Sequence, residues 1–163
     1  MLNLHAFVNF GDDAKGESLE ENHKDWVQIL SLSHRIDHPE SATRHIPGAG
    51  VAQAEFGNFV ITKFVDKATP NIMKLASNGK LLPKVDIEIL KAIGDKQTKY
   101  LTHELKNVLV TSFQSNVDGS GDVTETITLS FDHLATTYTS VAQDGTSKGN
   151  VAFKYDRAKA SAA

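Results

Sequence analysis

The chain has 163 residues and a mass of 17.7 kDa, with 40% hydrophobic and 23% charged residues. That length suits a single domain that buries its own core, and the composition excludes wholesale disorder. A net charge of −3 and a pI near 6.1 exclude a generally basic nucleic-acid footprint, and the lack of cysteine excludes disulfide scaffolds, thiol nucleophiles and cysteine metal sites.

Read from the N-terminus, Met1 to Val8 has no basic start and no unbroken apolar stretch, so no signal peptide is expected. No stretch approaches the length of a membrane helix. Synthesis and folding in the cytosol, with no membrane insertion, is the expectation. Leu2, Leu4, Ala6, Val8 and Phe10 then alternate with mostly polar residues, which predicts a half-buried strand. Trp26–Leu32, Phe59–Val65 and Leu105–Phe113 are apolar on both faces and read as central strands. Val85, Ile87 and Ile89 alternate, as do Ile127, Leu129 and Phe131, and then Val151, Phe153 and Tyr155. Turn residues at Asp95-Lys96, Asp118–Asp122 and Asp144-Gly145 separate the later runs. The pattern predicts a mainly β fold, an antiparallel barrel or sandwich of about eight or nine strands. One helix is expected over about 70–78. Thr69 would cap it, Pro70 suits its first turn and Gly79 its exit, with Ile72, Met73, Leu75 and Ala76 as the apolar stripe.

Residues 35–55 carry Pro39, Pro47, Gly48 and Gly50 and few bulky apolar side chains. A stretch of this length without an element is uncommon inside a compact domain. It reads either as a surface loop or as an arm ordered against another subunit. Residues 157–163 read as a flexible tail. One fold occupies 1–163, without internal repeats.

Candidate chemistry is sparse. His34, His38 and His45 with Asp37 form the densest imidazole cluster, but Pro39 argues against the helix that would converge them on a metal. The run Asn116–Asp122 has calcium-loop-like oxygens, yet Ile127 stands where the bidentate carboxylate should be. Asp86 and Glu88 share a strand face and read as its wet side rather than as an acid/base pair. No nucleophile elbow or phosphate-binding glycine loop is present. No catalytic residue, metal or cofactor is expected. A hydrolase on a β-sandwich and a monomeric small-ligand-binding β-barrel are the readings this leaves beside a structural one.

The strings themselves carry a resemblance. Phe59-Val60-Ile61-Thr62-Lys63-Phe64-Val65-Asp66-Lys67-Ala68-Thr69-Pro70-Asn71-Ile72, with Gly79-Lys80 after it, resembles the strand-to-helix block of the haemolysin-coregulated protein (Hcp) family. Gly16-Glu17-Ser18, His23-x2-Trp26-Val27, Val108–Ser112, Glu125–Phe131, Tyr138 and Asp144-Gly145 follow in that family's order, so the likeness covers nearly the whole chain. His34-Arg35 stands where the family often has a small residue, and Phe153–Asp156 where it often has a Trp-containing strand.

The resemblance implies the inner-tube protein of a type VI secretion system. Hexameric rings would stack into a hollow tube that carries effectors out of the cell, alongside spike and sheath proteins. It also implies that 35–55 is an inter-subunit loop, with Arg35, Ile36, His38, Arg44, His45, Ile46 and Val51 as candidate contact residues. The candidate lumen-facing residues are Asp86 and Glu88 on one sheet face, and Thr126, Thr128 and Ser130 on another.

Overall fold

The structure, a computed structural model, describes residues 4–40 and 53–162. Of the candidate contact residues, Arg44, His45, Ile46 and Val51 lie outside the described residues.

Among the described residues the expected architecture is present: antiparallel β-strands around one core, with a single α-helix. The first strands are β1 (Leu4–Asn9), β2 (Val27–Ile29) and β3 (Ser31–Ser33). The two-residue β4 (Ile36–Asp37) and β5 (Glu55–Phe56) follow, and then β6 (Phe59–Phe64) and helix α1 (Thr69–Asn78). The rest of the chain forms β7 (Leu82–Ile93), β8 (Lys96–Val117), β9 (Val123–Ser130), β10 (His133–Val141), β11 (Ser147–Asp156) and β12 (Ser161–Ala162). The strands outnumber the expected eight or nine because several are two- or three-residue pieces. The apolar run at Trp26–Leu32 is one such case. It breaks at Leu30 into β2, which pairs with β1, and β3, which pairs with β6, and the Leu30 N–H donates to the Thr62 carbonyl at the corner.

The long strand β8 organises the molecule. Its first half pairs with β7 and β10, giving the order β12-β11-β10-β8-β7-β1-β2. Its second half pairs with β9, which continues to β6 and β3. A bulge between Val110 and Ser112 shifts the register in that second half. The two sheets wrap a core of Val8, Val27, Phe59, Ile61, Val85, Ile87, Leu105, Ile127 and Leu129, and α1 adds Ile72 and Leu75.

Three sequence expectations meet corrections. Thr69 is not the helix cap. Its Oγ1 accepts the Asp66 N–H, while Asp66 Oδ1 accepts the Ala68 N–H, so two side-chain bonds in the turn before the helix order its entrance, and Ala68 stands at the cap position. Met73 is half-exposed and not part of the apolar stripe. The C-terminal segment folds back: β12 pairs with Tyr155 and Asp156, and the Arg157 N–H donates to the Asp132 carbonyl. The left-handed exit at Gly79 is as expected, with φ 65° and its N–H on the Leu75 carbonyl. The Asn116–Asp122 run is the β8–β9 turn, where Asp118 Oδ1 accepts the Ser120 N–H.

Residues 14–26 form a tight loop. The Gly16 N–H donates to the Asp25 carbonyl, and the Ser18 N–H to that of Trp26. A Cβ on Gly16 would lie 2.3 Å from the Trp26 carbonyl oxygen, and backbone cannot swing aside as a side chain can. Gly16→Ala is therefore expected to cost about 1–3 kcal/mol. In thermal unfolding, the midpoint should fall by about 2–4 °C per kcal/mol. An unchanged midpoint would show that the loop can part from Trp26 freely.

Candidate functional surfaces

The two sheets present outward faces of opposite chemistry. On the β1–β7–β8 face, Asp86 and Glu88 are half-buried, and they do not project freely into water as a wet strand face would. Lys84 Nζ lies 3.4 Å from Asp86 and 3.7 Å from Glu104, and Lys106 Nζ lies 3.7 Å from Glu104. Asp86 and Glu104 are cross-strand neighbours, so Lys84 and Lys106 neutralise a pair that would otherwise repel. Burial raises the Asp86 carboxyl above the usual carboxylate range, and the Lys84 charge opposes that rise.

Glu88 is committed to structure. Its Oε1 accepts from Lys99 Nζ at 3.1 Å, and its Oε2 lies 2.5 Å from His23 Nε2. The other His23 nitrogen, Nδ1, meets Glu20. Phe7 stacks on the His23 ring with centroids 4.8 Å apart, and Trp26 meets it edge-on. The buried His23 thus pins the 14–26 loop to β7. Sequence alone gave no sign of this, because the partners lie 65 positions apart.

The β3–β6–β9–β8 face is uncharged. Buried Ile61, Ile127 and Leu129 alternate with the half-exposed Thr62, Thr126, Thr128 and Ser130. Ser31, Thr62, Thr126 and Gln114 make one cross-strand row; Ser33, Val60, Thr128 and Ser112 make the next. The Ser31 and Thr62 hydroxyls bond to one another. No ionisable side chain stands in these rows. The sequence reading found Thr126, Thr128 and Ser130 but missed the serines of β3, because a three-residue strand has too little alternation to read.

The arm has a defined root. Ile36 pairs with Phe56 and Asp37 with Glu55, and the Gly57 N–H donates to the Arg35 carbonyl. Arg35 is ion-paired to Asp37 at 2.7 Å, and Ile36 and His38 are exposed. His34 turns inward and stacks on Phe59 while His38 is exposed, and His45 lies outside the described residues. Among the described residues, no group of three or more metal-ligating side chains comes together.

Two apolar surfaces lie uncovered. Leu19, 92% exposed, borders a groove of about 670 Å³ with Leu30, Phe64 and Val65, and Glu17, Glu20 and Asp66 share its lining. The second is on β10–β11, where Tyr138, Val151 (71% exposed) and Phe153 line up across adjacent strands. Beside it, β12 covers β11 only at Tyr155 and Asp156. Among the described residues, Ser147–Lys154 therefore has no strand on its outer edge. Long free edges of this kind invite pairing with another chain. Among the described residues, no helix is long and apolar enough to cross a membrane.

Comparison with known proteins places these features. A family model described as "Type VI secretion system effector, Hcp" matches residues 7–138. The "Protein hcp1" of Pseudomonas aeruginosa is 35% identical over 147 residues, covering 90% of each chain. The "Major exported protein" of the same organism is 25% identical over 114 residues, covering 69% of this chain and 64% of that protein. A solved type six secretion system protein superposes with a TM-score of 0.88 at 21% identity, covering 98% of this chain and 99% of that one. Hcp1 from Salmonella typhimurium superposes with a TM-score of 0.79 at 25% identity over the full length of both.

Proposed function

The chain belongs to the Hcp family of type VI secretion system proteins, and on that premise we propose that it is a structural subunit of that system's inner tube. Six copies close head to tail into a ring. Rings stack through the 35–55 arm, including Arg35, Ile36, His38, Arg44, His45, Ile46 and Val51, and the tube carries effectors out of the cell together with spike and sheath proteins. The observation that carries this reading is the pair of unlike apolar surfaces, one around Leu19 and Leu30 and one around Val151 and Phe153, beside an uncovered strand edge. A heterologous contact between two different patches is what generates a ring when its rotation closes.

Of the two candidate lumen faces, the uncharged one suits the lining. Charged groups select partners by sign. A lining of hydroxyls at Thr126, Thr128, Ser130, Ser31 and Ser33 passes cargo of either sign. The face with Asp86 and Glu88 has its charges already engaged by Lys84, Lys99 and His23.

Light scattering should give a mass near six subunits for the purified chain. Thr128→Arg should keep that mass and lower effector recovery in a pull-down by about tenfold, a change equivalent to about 1.4 kcal/mol. Thr102→Arg, beside Glu88 on the charged face, should leave recovery unchanged. A monomer at every concentration would overturn the tube reading. Loss of recovery in Thr102→Arg alone would put the charged face on the lumen.

A further inference from the structure

At the root of the arm, two histidines enclose one phenylalanine. The Phe59 ring is fully buried. His34 stacks on it with centroids 4.1 Å apart and planes 7° from parallel. His103 meets the same ring edge-on at 5.2 Å. Phe56 and Phe131 complete the cage around His34, at 6.4 and 6.0 Å. His103 Nδ1 is 2.8 Å from the Thr136 hydroxyl, while His34 Nε2 is buried without a hydrogen-bond partner among the described residues. The residue after His34 begins the arm. Phe56 and Gly57, which close the ladder at Ile36 and Arg35, end it.

We propose that His34 and His103 form an acid-sensitive hinge. When both rings are neutral they hold the arm's root against Phe59, and when they take up protons they release it.

Among the described residues, the charge that acts on His34 is that of Arg157, whose guanidinium lies over Phe131 at 5.1 Å and donates to the Phe131 carbonyl. On the arm, Arg35 and Asp37 are paired to one another, and Glu55 stands opposite Asp37 in the ladder. Asp156 is directed at His133, 3.4 Å away. On β8, Glu104 is engaged by Lys84 and Lys106 on the other face of the sheet from His103. Burial lowers both imidazoles, His103 to about 4; Arg157 depresses His34 further, as His34 does His103, while the hydrogen bond of His34 to the Gly57 backbone opposes the fall without reversing it.

A released root returns both rings toward the ordinary value of 6.5, so the released form binds protons more tightly. Closure is fully present above about 6.5 and weakens as the pH falls from there toward 4. For His103 alone, the two values favour release by roughly 20-fold at pH 5 compared with neutral pH.

Hydrogen exchange on the full chain, corrected for the intrinsic effect of pH, tests this without reference to its assembly state. Between pH 7.5 and pH 5, amide protection at Ile36, Asp37, Phe56 and Gly57 should fall by at least tenfold, while the β7–β8 ladder keeps its protection. His34→Phe keeps the stack but cannot charge, so it should retain much of the protection at pH 5. The neutral His34→Gln serves the same comparison if the larger ring disturbs folding, and adding His103→Leu should remove the pH response altogether. Unchanged protection in the parent chain, simultaneous loss in β7–β8, or an equal loss in the double variant would each overturn the hinge.

Discussion

Lys63→Met is expected to destabilise the fold by about 3–5 kcal/mol, the cost of leaving one member of a buried ion pair alone. Lys63 is fully buried, and so is Glu125, its cross-strand neighbour on β9. The Lys63 ammonium donates to Glu125 Oε2 at 2.7 Å, to Asp66 Oδ1 at 2.9 Å, to the Phe64 carbonyl at 2.9 Å and to Thr69 Oγ1 at 3.3 Å. Besides Glu125, those partners are the end of β6, the turn residue Asp66 and the first residue of α1. The ammonium therefore joins the sheet to the helix entrance as well as neutralising Glu125.

Glu125→Leu should cost a similar amount, because it strands the ammonium. The double variant Lys63→Met/Glu125→Leu should recover the part of the loss that comes from the stranded charge, since apolar replacement of a buried pair is often close to neutral, while the contacts to Asp66, Phe64 and Thr69 stay lost. Chemical denaturation of the three variants, read as a double-mutant cycle, measures this. If the double variant loses the sum of the two single losses, the two groups do not stabilise one another.

This network also shows where sequence reading stops. The alternation Phe59, Ile61, Lys63 already puts Lys63 on the core face, and the period of two is the correct rule. Nothing local marks that lysine as half of a buried pair, because its counter-charge is 62 positions away in the chain. Glu125 could be assigned to it only once the β6–β9 register was known. The same holds for His23, whose partner Glu88 comes from another strand.

Elements set by local chemistry were legible: α1 between Pro70 and Gly79, the β8–β9 turn, and the alternating strands β1, β7, β9 and β11. Elements set by pairing were not. The two-residue ladder at the arm's root owes nothing to the propensity of Ile36 or Glu55; it forms because Gly57 and Phe56 are brought back beside Arg35 and Ile36. The uncharged face was half legible, its β9 row by alternation and its β3 row only through pairing with β6.

The proposed head-to-tail contact makes a prediction that an isologous contact does not. Val151 and Leu19 are among the most exposed large apolar side chains, so a charge at either should spare the monomer's core. In a ring built by joining the Val151 surface of one copy to the Leu19 groove of the next, Val151→Glu damages one side of every interface and Leu19→Glu the other. The groove is already acidic, with Glu17, Glu20 and Asp66 in its lining, so a glutamate at 151 adds like-charge repulsion to the lost apolar contact. Burying an unpaired carboxylate costs several kcal/mol per interface. Repeated around the ring, that reduces each variant alone to monomers.

Mixing the two variants restores one intact pairing: the Val151 surface of the Leu19→Glu chain with the groove of the Val151→Glu chain. The product is a heterodimer and goes no further, because the outward surfaces of that dimer are the two damaged ones. Isologous contacts, in which each patch meets its own kind, would instead let each variant dimerise alone through its undamaged patch. Native mass measurements of each variant and of the mixture distinguish the cases: monomer, monomer and heterodimer for the head-to-tail ring. Homodimers of either variant alone would exclude it. A full-size ring from either variant would show that its substituted patch lies outside the ring contact.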